Sequence, residues 1–443
     1  LFRLILNNIM KQGINIIILT TLISCSLIKY QDDISLIKSD INVNDNKVFE
    51  DKTYDKNINT VRIHKFNDQL SNPIIFLNLK DSLRLSFDDF NDKYRKMYYR
   101  IIHCDSEWKK TDINETEYLN GFSVNEIYDY ENSFNTKVKY RNYFLKIPNR
   151  EIEITKSGNY IIQIEDDNKI LLEKKFYVAE NKVNIKGNVS KVKLIEHRNT
   201  KQKINVDIDL MNLKVSDPFS EIKLVIKKNN SNIEKIENLK PLFIKDRTLI
   251  YDYENESNFW GGNQFRYFNS SSIRYLSDRI DNIIVDSIIT FVIKEDWPRQ
   301  LENYVIYPDI NGNFYIDCET CWNSDIESEY VDVKFKLNYR EKISYGSVYL
   351  IGNFTNWNIN ENFKLDYDQI SNSYTKTIKI KQGYYNYQYL LLDNYSNTSS
   401  SNIFEGTHYQ TTNDYYIYVY FKKPESRYTR LVGYKKISSK NLL

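Results

Sequence analysis

The stretch Leu83-Arg84-Leu85-Ser86-Phe87-Asp88-Asp89 alternates apolar and polar side chains over most of its length. A period of two is typical of a β-strand with one buried and one solvated face, because successive side chains of a strand point in opposite directions. The same alternation recurs at Ile204–Leu210 and at Val331–Leu337. Short strands of this kind, separated by polar turns, predict an all-β fold made of tandem immunoglobulin-like β-sandwich domains.

The composition of the 443 residues agrees with this fold and disfavours several classes of protein. The chain contains 37 Tyr, and Tyr is enriched in strands. It contains only 12 Gly, which is about 3% of the chain, whereas Gly makes up roughly 7% of an average protein. Few loops are therefore suited to cradling a phosphate. Nucleotide-dependent α/β enzymes are therefore disfavoured. The formal net charge of +2 argues against a nucleic-acid binder, which needs a concentrated basic face.

The N-terminal region has the features of an export signal. Residues 14–23 form an uncharged, mostly apolar run that is about half the length of a membrane-spanning helix. Such a run after Lys11 predicts a secretory signal peptide, and Leu22-Ile23-Ser24-Cys25 is similar to a bacterial lipobox. We expect a signal peptide with a lipobox over 1–25, lipidation at Cys25, and a polar, flexible tether over 26–58. An ordinary signal peptide cut nearby is the alternative.

The strand pattern divides the rest of the chain into three blocks and a tail. We expect an N-terminal sandwich over 59–181, a middle sandwich over 182–325, a C-terminal sandwich over 326–425 and a basic tail over 426–443. Within the middle block, Leu242–Tyr253 and Ile283–Ile293 are each predicted as one strand. Asn311-Gly312 predicts a tight hairpin turn between two strands, 304–310 and 313–317.

The segment His103-Cys104-Asp105 contains the residue types of a nucleophilic hydrolase. In a strand, however, Cys104 points away from its two neighbours, so a buried structural strand is the better interpretation. The chain has no HExxH, P-loop or GxSxG motif, and no two of its four His are spaced as a metal pair. We therefore expect no catalytic residue, no metal site and no cofactor.

Cys318-Glu319-Thr320-Cys321 is a CxxC motif with two open interpretations. A structural zinc needs four ligands, and this chain has only four Cys, of which lipidation would consume Cys25. In an oxidising compartment Cys318 and Cys321 can form a local disulfide, and a reduced loop pair is the alternative.

The segment Phe259-Trp260-Gly261-Gly262-Asn263-Gln264-Phe265-Arg266 gathers aromatic residues around two of the scarce glycines. One interpretation is a tight turn whose aromatic side chains fold into the core. The other is a loop presented to a protein partner, because Trp, Tyr and Arg often anchor interfaces. On the second interpretation the candidate partner-binding residues are Phe259, Trp260, Phe265 and Arg266.

Two stretches near the C-terminus resemble the early-set immunoglobulin-like modules associated with glycogen binding. They are Gly352-Asn353-Phe354-Thr355-Asn356-Trp357 and Gly383-Tyr384-Tyr385-Asn386-Tyr387. The resemblance implies an early-set domain over 326–425. It also implies an alternative function, a glycan-binding periplasmic or surface lipoprotein in which Trp357 contacts the sugar.

A wider resemblance covers nearly the whole chain after the tether. Six motifs, in this order, are similar to those of the type IX secretion system plug protein family of Bacteroidota. They are Leu83–Asp89, Tyr99–Trp108, Glu117–Phe122, Tyr128–Thr136, Gly261–Phe268 and Asp309–Phe314.

This second resemblance implies a non-catalytic periplasmic protein without a cofactor. Its implied partner is the large outer-membrane β-barrel translocon of the type IX secretion system, whose pore it would close when no substrate is in transit. It implies no nucleic-acid partner. Membrane contact would come only through a lipid on Cys25, which would anchor the protein to the periplasmic face of the outer membrane.

Overall fold

The computed structural model describes residues 47–167 and 169–442. The chain divides after Val48, and Phe49–Leu443 forms one compact unit. Strands make up 47% of the structure and helices 6%, which confirms the all-β fold of tandem β-sandwiches. The signal peptide, the lipobox and most of the tether lie outside the described residues.

The first sandwich contains twelve strands and one short helix. Its two main sheets have the orders β1-β12-β11-β5-β7, with β3 beside β12, and β2-β4-β9-β8. The strand at Leu83–Asp89 is central in the second sheet, and its Leu and Phe side chains are buried between the sheets as the alternation predicts. The elements are β1 Lys52–Thr53, β2 Ile58–Lys65, β3 Ile74–Phe76, β4 Leu83–Asp89, β5 Tyr98–Cys104, α1 Glu115–Tyr118, β6 Leu119–Gly121, β7 Val124–Glu126, β8 Tyr130–Asn132, β9 Arg141–Ile147, β10 Ile152–Ile154, β11 Gly158–Asp166 and β12 Lys169–Ala179.

The middle sandwich begins directly afterwards. One of its sheets has the order β13-β14-β18-β17, with β19 beside β14. The elements are β13 Asn184–Lys191, β14 Lys201–Asp209, α2 Pro218–Glu221, β15 Ile222–Lys228, β16 Lys235–Leu239, β17 Phe243–Lys245, β18 Thr248–Tyr251 and β19 Asn258–Trp260. The predicted strand at Leu242–Tyr253 is therefore wrong. A turn at Asp246, whose φ of 53° lies in the left-handed region, divides it into a hairpin.

The third sandwich packs the sheet β21-β22-β24-β27-β26 against a sheet centred on the long strand β28. The strand predicted at Ile283–Ile293 is also a hairpin, β21 and β22. The elements are β20 Arg266–Asn269, β21 Ile280–Val285, β22 Ile289–Ile293, β23 Phe314–Ile316, α3 Ser324–Glu327, β24 Tyr330–Asn338, β25 Gly346–Ile351, a 3₁₀ helix at Asn353–Thr355, another at Glu361–Phe363, β26 Asp366–Asp368, β27 Ser373–Lys381, β28 Gly383–Asp393, β29 Ser399–Ser400 and α4 Asn402–Glu405.

The turn at Asn311-Gly312 has the predicted conformation but only one strand. Both residues have positive φ, 52° and 79°, as a two-residue hairpin turn of this type requires. The predicted strand after the turn forms as β23, whereas residues 304–310 before it form no strand. Backbone groups near the turn bond to side chains there instead of to another strand. The backbone N–H of Ile310, for example, donates to Oδ1 of Asn386.

The last two strands return to the middle sandwich. They are β30 Asp414–Phe421 and β31 Arg430–Ser438, followed by a 3₁₀ helix at Ser439–Leu442. Together with β15 and β16 they form the sheet β16-β15-β30-β31. The pairings therefore differ from the expected boundaries, since 426–443 contains a paired strand rather than a tail. β20 to β22, expected in the middle block, pair within the third sandwich.

Tyrosine side chains join the first and middle sandwiches. The outer faces of β12 and β30 pack together, with Tyr177 stacked on Tyr418 at a ring separation of 4.7 Å. Tyr420 donates its hydroxyl hydrogen to Oδ1 of Asn159 in β11. Much of the Tyr excess is thus placed where an apolar ring and a polar hydroxyl are both satisfied.

Candidate functional site

His103, Cys104 and Asp105 do not form a catalytic group. His103 is buried in the first sandwich, where Nδ1 lies 2.8 Å from Oγ1 of Thr111 and Nε2 lies 3.2 Å from the Ser157 carbonyl. Cys104 faces the opposite side of β5, in the core between the first and middle sandwiches. Burial lowers the pKa of His103 to about 4 and raises that of the Cys104 thiol above its usual range. A neutral imidazole and a protonated thiol on opposite faces are structural groups.

The candidate loop at 259–266 is largely buried, so the interpretation of it as an exposed docking loop is corrected for three of its four residues. Phe259 lies in β19 and packs against Tyr415. Phe265 packs in the core of the molecule, and Arg266 is buried in an ionic network. Trp260 alone of the four keeps 43% of its surface exposed.

The Arg266 network explains why this charge is buried. Its guanidinium contacts Asp296 at 2.7 Å and Glu405 at 3.0 Å, and Arg299 contacts the same Glu405 at 2.6 Å. Burial alone would raise the pKa of Glu405, but the two guanidinium groups hold it below its usual value. Buried charges are tolerated when they are paired and hydrogen-bonded in this way. Arg266 therefore holds the third sandwich together rather than meeting a partner.

Trp357 of the G-x-F-x-x-W motif is also buried, with 4% of its surface exposed. Its ring packs edge-on against Phe265, with the ring centres 5.9 Å apart. A tryptophan in this position presents no face for stacking on a sugar. The glycan-binding alternative therefore lacks the contact on which it depended.

Cys318 and Cys321 form a disulfide in the loop between β23 and α3, with the two sulfur atoms 1.96 Å apart. The residue that follows the disulfide is Trp322, whose surface is 100% exposed. A fully exposed tryptophan beside a covalent cross-link is held on a constrained backbone. Sequence reasoning missed Trp322, although a lone Trp in the polar stretch Cys321-Trp322-Asn323-Ser324 was a usable signal.

The first sandwich carries further exposed aromatic residues at 94 and over 128–134, and Glu131 of the second segment contacts Asn323, next to Trp322. We call the set formed by Tyr94, Tyr128, Tyr130, Phe134 and Trp322 the aromatic surface. The rings of Tyr94 and Tyr130 are 5.3 Å apart, and Phe134 is 59% exposed. Exposed aromatic side chains are enriched in protein interaction sites.

Hydrogen bonds between the two sandwiches hold the aromatic surface in place. The backbone N–H of Phe134 donates to the carbonyl of Ile326 at 2.9 Å. Nδ2 of Asn323, next to Trp322, donates to a carboxylate oxygen of Glu131 at 3.3 Å. The segment of the first sandwich that contains Phe134 is therefore linked by hydrogen bonds to the segment of the third sandwich that contains Trp322. A preorganised surface loses little entropy when it binds.

One cation, Arg141, packs against two rings of the aromatic surface. The Arg141 guanidinium lies 5.4 Å from the ring centre of Tyr130 and 5.7 Å from that of Tyr94. Its Nε donates to Oδ1 of Asn132. This arrangement combines apolar area with one cation, which is the composition of an interface core containing arginine.

The predicted lipidation site, Cys25, lies outside the described residues. Within residues 47–167 and 169–442, no three His, Cys, Asp or Glu side chains are grouped as metal ligands. Over the same residues, no helix has the length and apolar character needed to span a bilayer.

The three packed β-sandwiches and the aromatic surface define a class, a multidomain β-sandwich protein whose exposed face has the features of a protein interface. The family model described as "Type 9 secretion system plug protein 1st domain" matches residues 58–180. The chain belongs to the type IX secretion system plug protein family. It is thereby associated with the type IX secretion machinery.

A solved structure is similar to nearly the whole chain. It is the crystal structure, at 2.30 Å resolution, of a hypothetical protein from Parabacteroides merdae ATCC 43184. That protein is 30% identical, with a TM-score of 0.86, over 89% of this chain and 100% of its own. No curated protein matches the sequence.

Two further solved structures are similar to the chain at a low level. The alkylpurine DNA glycosylase AlkC of Pseudomonas fluorescens is 10% identical over 27% of this chain and 29% of its own, with a TM-score of 0.17. The BSP domain of a biofilm-associated protein is 8% identical over 89% of this chain and 61% of its own, also with a TM-score of 0.17.

Proposed function

We propose that the protein is a non-catalytic periplasmic subunit that binds the outer-membrane β-barrel translocon of the type IX secretion system and occludes its pore. The observation that carries the proposal is membership of the plug family, which rests on the match at 58–180. The mechanism is steric. A body placed against the opening of the barrel closes it through surface contact, without chemistry.

The packing of the sandwiches supports a steric mechanism, because a plug has to resist deformation. Lys381 of the third sandwich and Asp88 of the first form a buried ion pair at 2.7 Å. Asp325, which precedes β24 in the third sandwich, contacts both Arg62 and Arg84 of the first. Bonds of this kind between sandwiches limit hinge motion at the junction.

We further propose that the aromatic surface is the part that contacts the translocon. It joins two sandwiches, and its exposed rings can bury apolar area on binding. A stable contact should bury more than about 1,000 Å² in total. On this proposal a lipid on Cys25 keeps the protein at the inner side of the outer membrane, which mass spectrometry of the mature N-terminus would test.

Co-purification with the tagged translocon from cells tests the proposal. The wild-type chain should be recovered with the barrel, and replacing Trp322 and Phe134 by Ala should reduce recovery strongly. Tyr395→Ala is the matched control, since Tyr395 is an exposed aromatic residue in the turn between β28 and β29. Failure of the wild-type chain to co-purify would contradict the occlusion proposal. Equal recovery of the double variant would contradict only the assignment of the aromatic surface.

A further inference from the structure

Three lysines converge on a small cavity where the three sandwiches meet. Lys174 and Lys175 come from β12 of the first sandwich, and Lys227 comes from β15 of the middle one. Asn356 of the third sandwich completes the wall. The cavity has a volume of about 40 Å³. A single water needs about 10–15 Å³, so there is room for a small polyatomic ion.

Lys227 is a buried cation without a matching anion. It is 6% exposed, and its Nζ donates to Oδ1 of Asn232 at 2.9 Å and to the hydroxyl of Tyr177 at 3.1 Å. Both acceptors are neutral. No ion pair joins Lys227 to any carboxylate of residues 47–167 and 169–442. Lys228, the next residue, does have an anionic partner, because its Nζ contacts the carboxylate of Glu234 at 2.7 Å.

The charge in the cavity is unbalanced. Among the described residues that line it, Asp51 is the one carboxylate, against Lys174, Lys175 and Lys227. Asp51 lies 3.5 Å from Nζ of Lys174 and also accepts the backbone N–H of Lys175 at 2.8 Å. Burial, reinforced by the nearby positive charges of Lys175 and Lys235, lowers the pKa of Lys227 to about 7. An anion in the cavity would remove this cost, because buried charges are stable when paired.

Amide groups of two sandwiches add polar atoms to the same wall. Lys174 donates from Nζ to Oδ1 of Asn356 at 2.7 Å. Asn232 holds Lys227 in the same manner. With both side-chain oxygens bound to lysines, the two amide NH₂ groups remain as donors of the kind that an oxyanion accepts.

We propose that this junction cavity binds an oxyanion of the phosphate or sulfate class, between the Nζ atoms of Lys174 and Lys227 and the side chains of Asn232 and Asn356. Charge-assisted hydrogen bonds to phosphate are among the stronger polar contacts in proteins. The bound ion would touch all three sandwiches and link them. The site is distinct from the aromatic surface and does not depend on the occlusion proposal.

The ion has two sources with the same chemistry. It is either free, or the terminal group of a phosphate monoester whose organic part lies in the adjoining groove. That groove has a volume of about 620 Å³ and shares Asp51, Asn232 and Asn356 with the cavity.

Isothermal titration of the full-length protein with inorganic phosphate, sulfate and glycerol 3-phosphate, with chloride at matched ionic strength as the blank, tests the proposal. One ion should bind per chain. Lys227→Met should weaken binding by at least about tenfold, because it removes a charged donor. Lys228→Met, which alters a buried lysine outside the cavity, should keep the affinity. Tighter binding of glycerol 3-phosphate than of phosphate would identify the monoester as the source.

Two results would overturn the proposal. One is the absence of oxyanion binding by the wild-type chain. The other is equal affinity in the wild type and in Lys227→Met, which would show that Lys227 is simply neutral and bound to Tyr177 and Asn232. Lys174→Met, on another sandwich, provides a second variant in case Lys227→Met does not fold. A crystal grown with selenate tests the proposal without variants, because the anomalous peak of selenium should lie in the cavity.

Discussion

At the scale of single residues, Gly312 and Trp357 show how one missing Cβ shapes the core of the third sandwich. Gly312 has a φ of 79°, and a Cβ on it would lie 2.3 Å from the Cη2 of Trp357 and 2.9 Å from a ring carbon of Phe265. The turn therefore needs glycine for its backbone and for its space. The tryptophan of the G-x-F-x-x-W motif is packed against that turn rather than exposed.

We expect Gly312→Ala to lower the free energy of unfolding by about 2–4 kcal/mol, because it combines the cost of positive φ with a clash in the core. Urea denaturation followed by tryptophan fluorescence would measure it. Gly262→Ala is the matched control. Gly262 has a φ of 68°, but its added Cβ would meet only Nζ of Lys228, at 3.4 Å, so the expected cost is about 1 kcal/mol. Equal costs for the two variants would contradict the clash with Trp357.

His103 makes the stability of the fold depend on pH. Its pKa is about 4 in the folded protein because of burial, against an ordinary value of 6.5. As the pH falls from 6.5 to 4 the unfolded chain binds a proton there that the folded chain does not, so stability decreases with falling pH. The loss amounts to about 3 kcal/mol at most.

The check is a comparison of urea midpoints for the wild type and for His103→Gln at pH 7.5, 6.0 and 5.0. The variant should lose less stability than the wild type between pH 7.5 and 5.0, whatever its stability at pH 7.5. Parallel curves for the two proteins would contradict a buried neutral imidazole.

At the scale of elements, β31 is the clearest difference from the sequence-based expectation. Residues 426–443 were expected to be a basic tail, but Leu431 and Val432 on β31 are fully buried. The strand pairs with β30 over its whole length, from Asp414↔Ser438 to Phe421↔Arg430. Because basic residues surround this segment, the strand was not predicted, although its buried side chains contribute to two cores.

Ending the chain at Glu425 is therefore expected to prevent folding. Each large aliphatic side chain buried on β31 contributes about 1.5–3 kcal/mol, and β30 would lose its partner strand. Soluble yield and resistance to trypsin would measure the effect. A chain ending at Lys440 keeps β31 and the bond from the backbone N–H of Asn413 to Oγ of Ser439, and it should fold normally. A soluble, protease-resistant chain ending at Glu425 would refute the role of β31.

The observed strands also show which elements can be predicted from the sequence. Alternation located β4 and β24 closely, because apolar and polar side chains alternate in both; in β24 the polar face is largely exposed, whereas in β4 Ser86 and Asp88 are buried as well. It joined β21 to β22 and β17 to β18, because each turn is short and contains neither Gly nor Pro, although Asp246 and Asp286 are residues that turns favour. The return of β30 to β15 is a long-range pairing, and local pattern carries no information on it. For the same reason the exposure of Trp322 was not predicted, whereas the tight-turn interpretation of Phe259–Arg266 agrees with the buried positions of three of its residues.

At the scale of the whole molecule, the three sandwiches share cores and buried charges. The core between the first and middle sandwiches includes Tyr177, Tyr418 and Leu431. The third sandwich, with its own clusters, is joined to the first through the buried charges of Lys381, Asp88 and Asp325. Because no sandwich can expose these faces without cost, we expect one unfolding transition, with calorimetric and van 't Hoff enthalpies in agreement. Separate transitions would contradict the shared cores.

The buried pair between Lys381 and Asp88 gives the sharpest test of this coupling. It joins β27 of the third sandwich to β4 of the first, and the hydroxyl of Tyr330 also donates to Asp88 at 2.7 Å. Removing either partner leaves a buried charge uncompensated, so Asp88→Ala and Lys381→Met should each cost about 3–5 kcal/mol.

The double variant should cost clearly less than the sum of the two single variants, because it leaves neither charge unpaired. Urea unfolding of the wild type, the two single variants and the double variant gives the coupling energy. The pair Lys336 and Glu295, which lies on the surface of the third sandwich, is the control and should show a coupling of no more than about 1 kcal/mol. If the Lys381–Asp88 costs simply add, the two sandwiches are not held together by this pair. The steric mechanism would then have to rest on the contacts of Asp325 with Arg62 and Arg84 and on the tyrosine-rich core between the first and middle sandwiches.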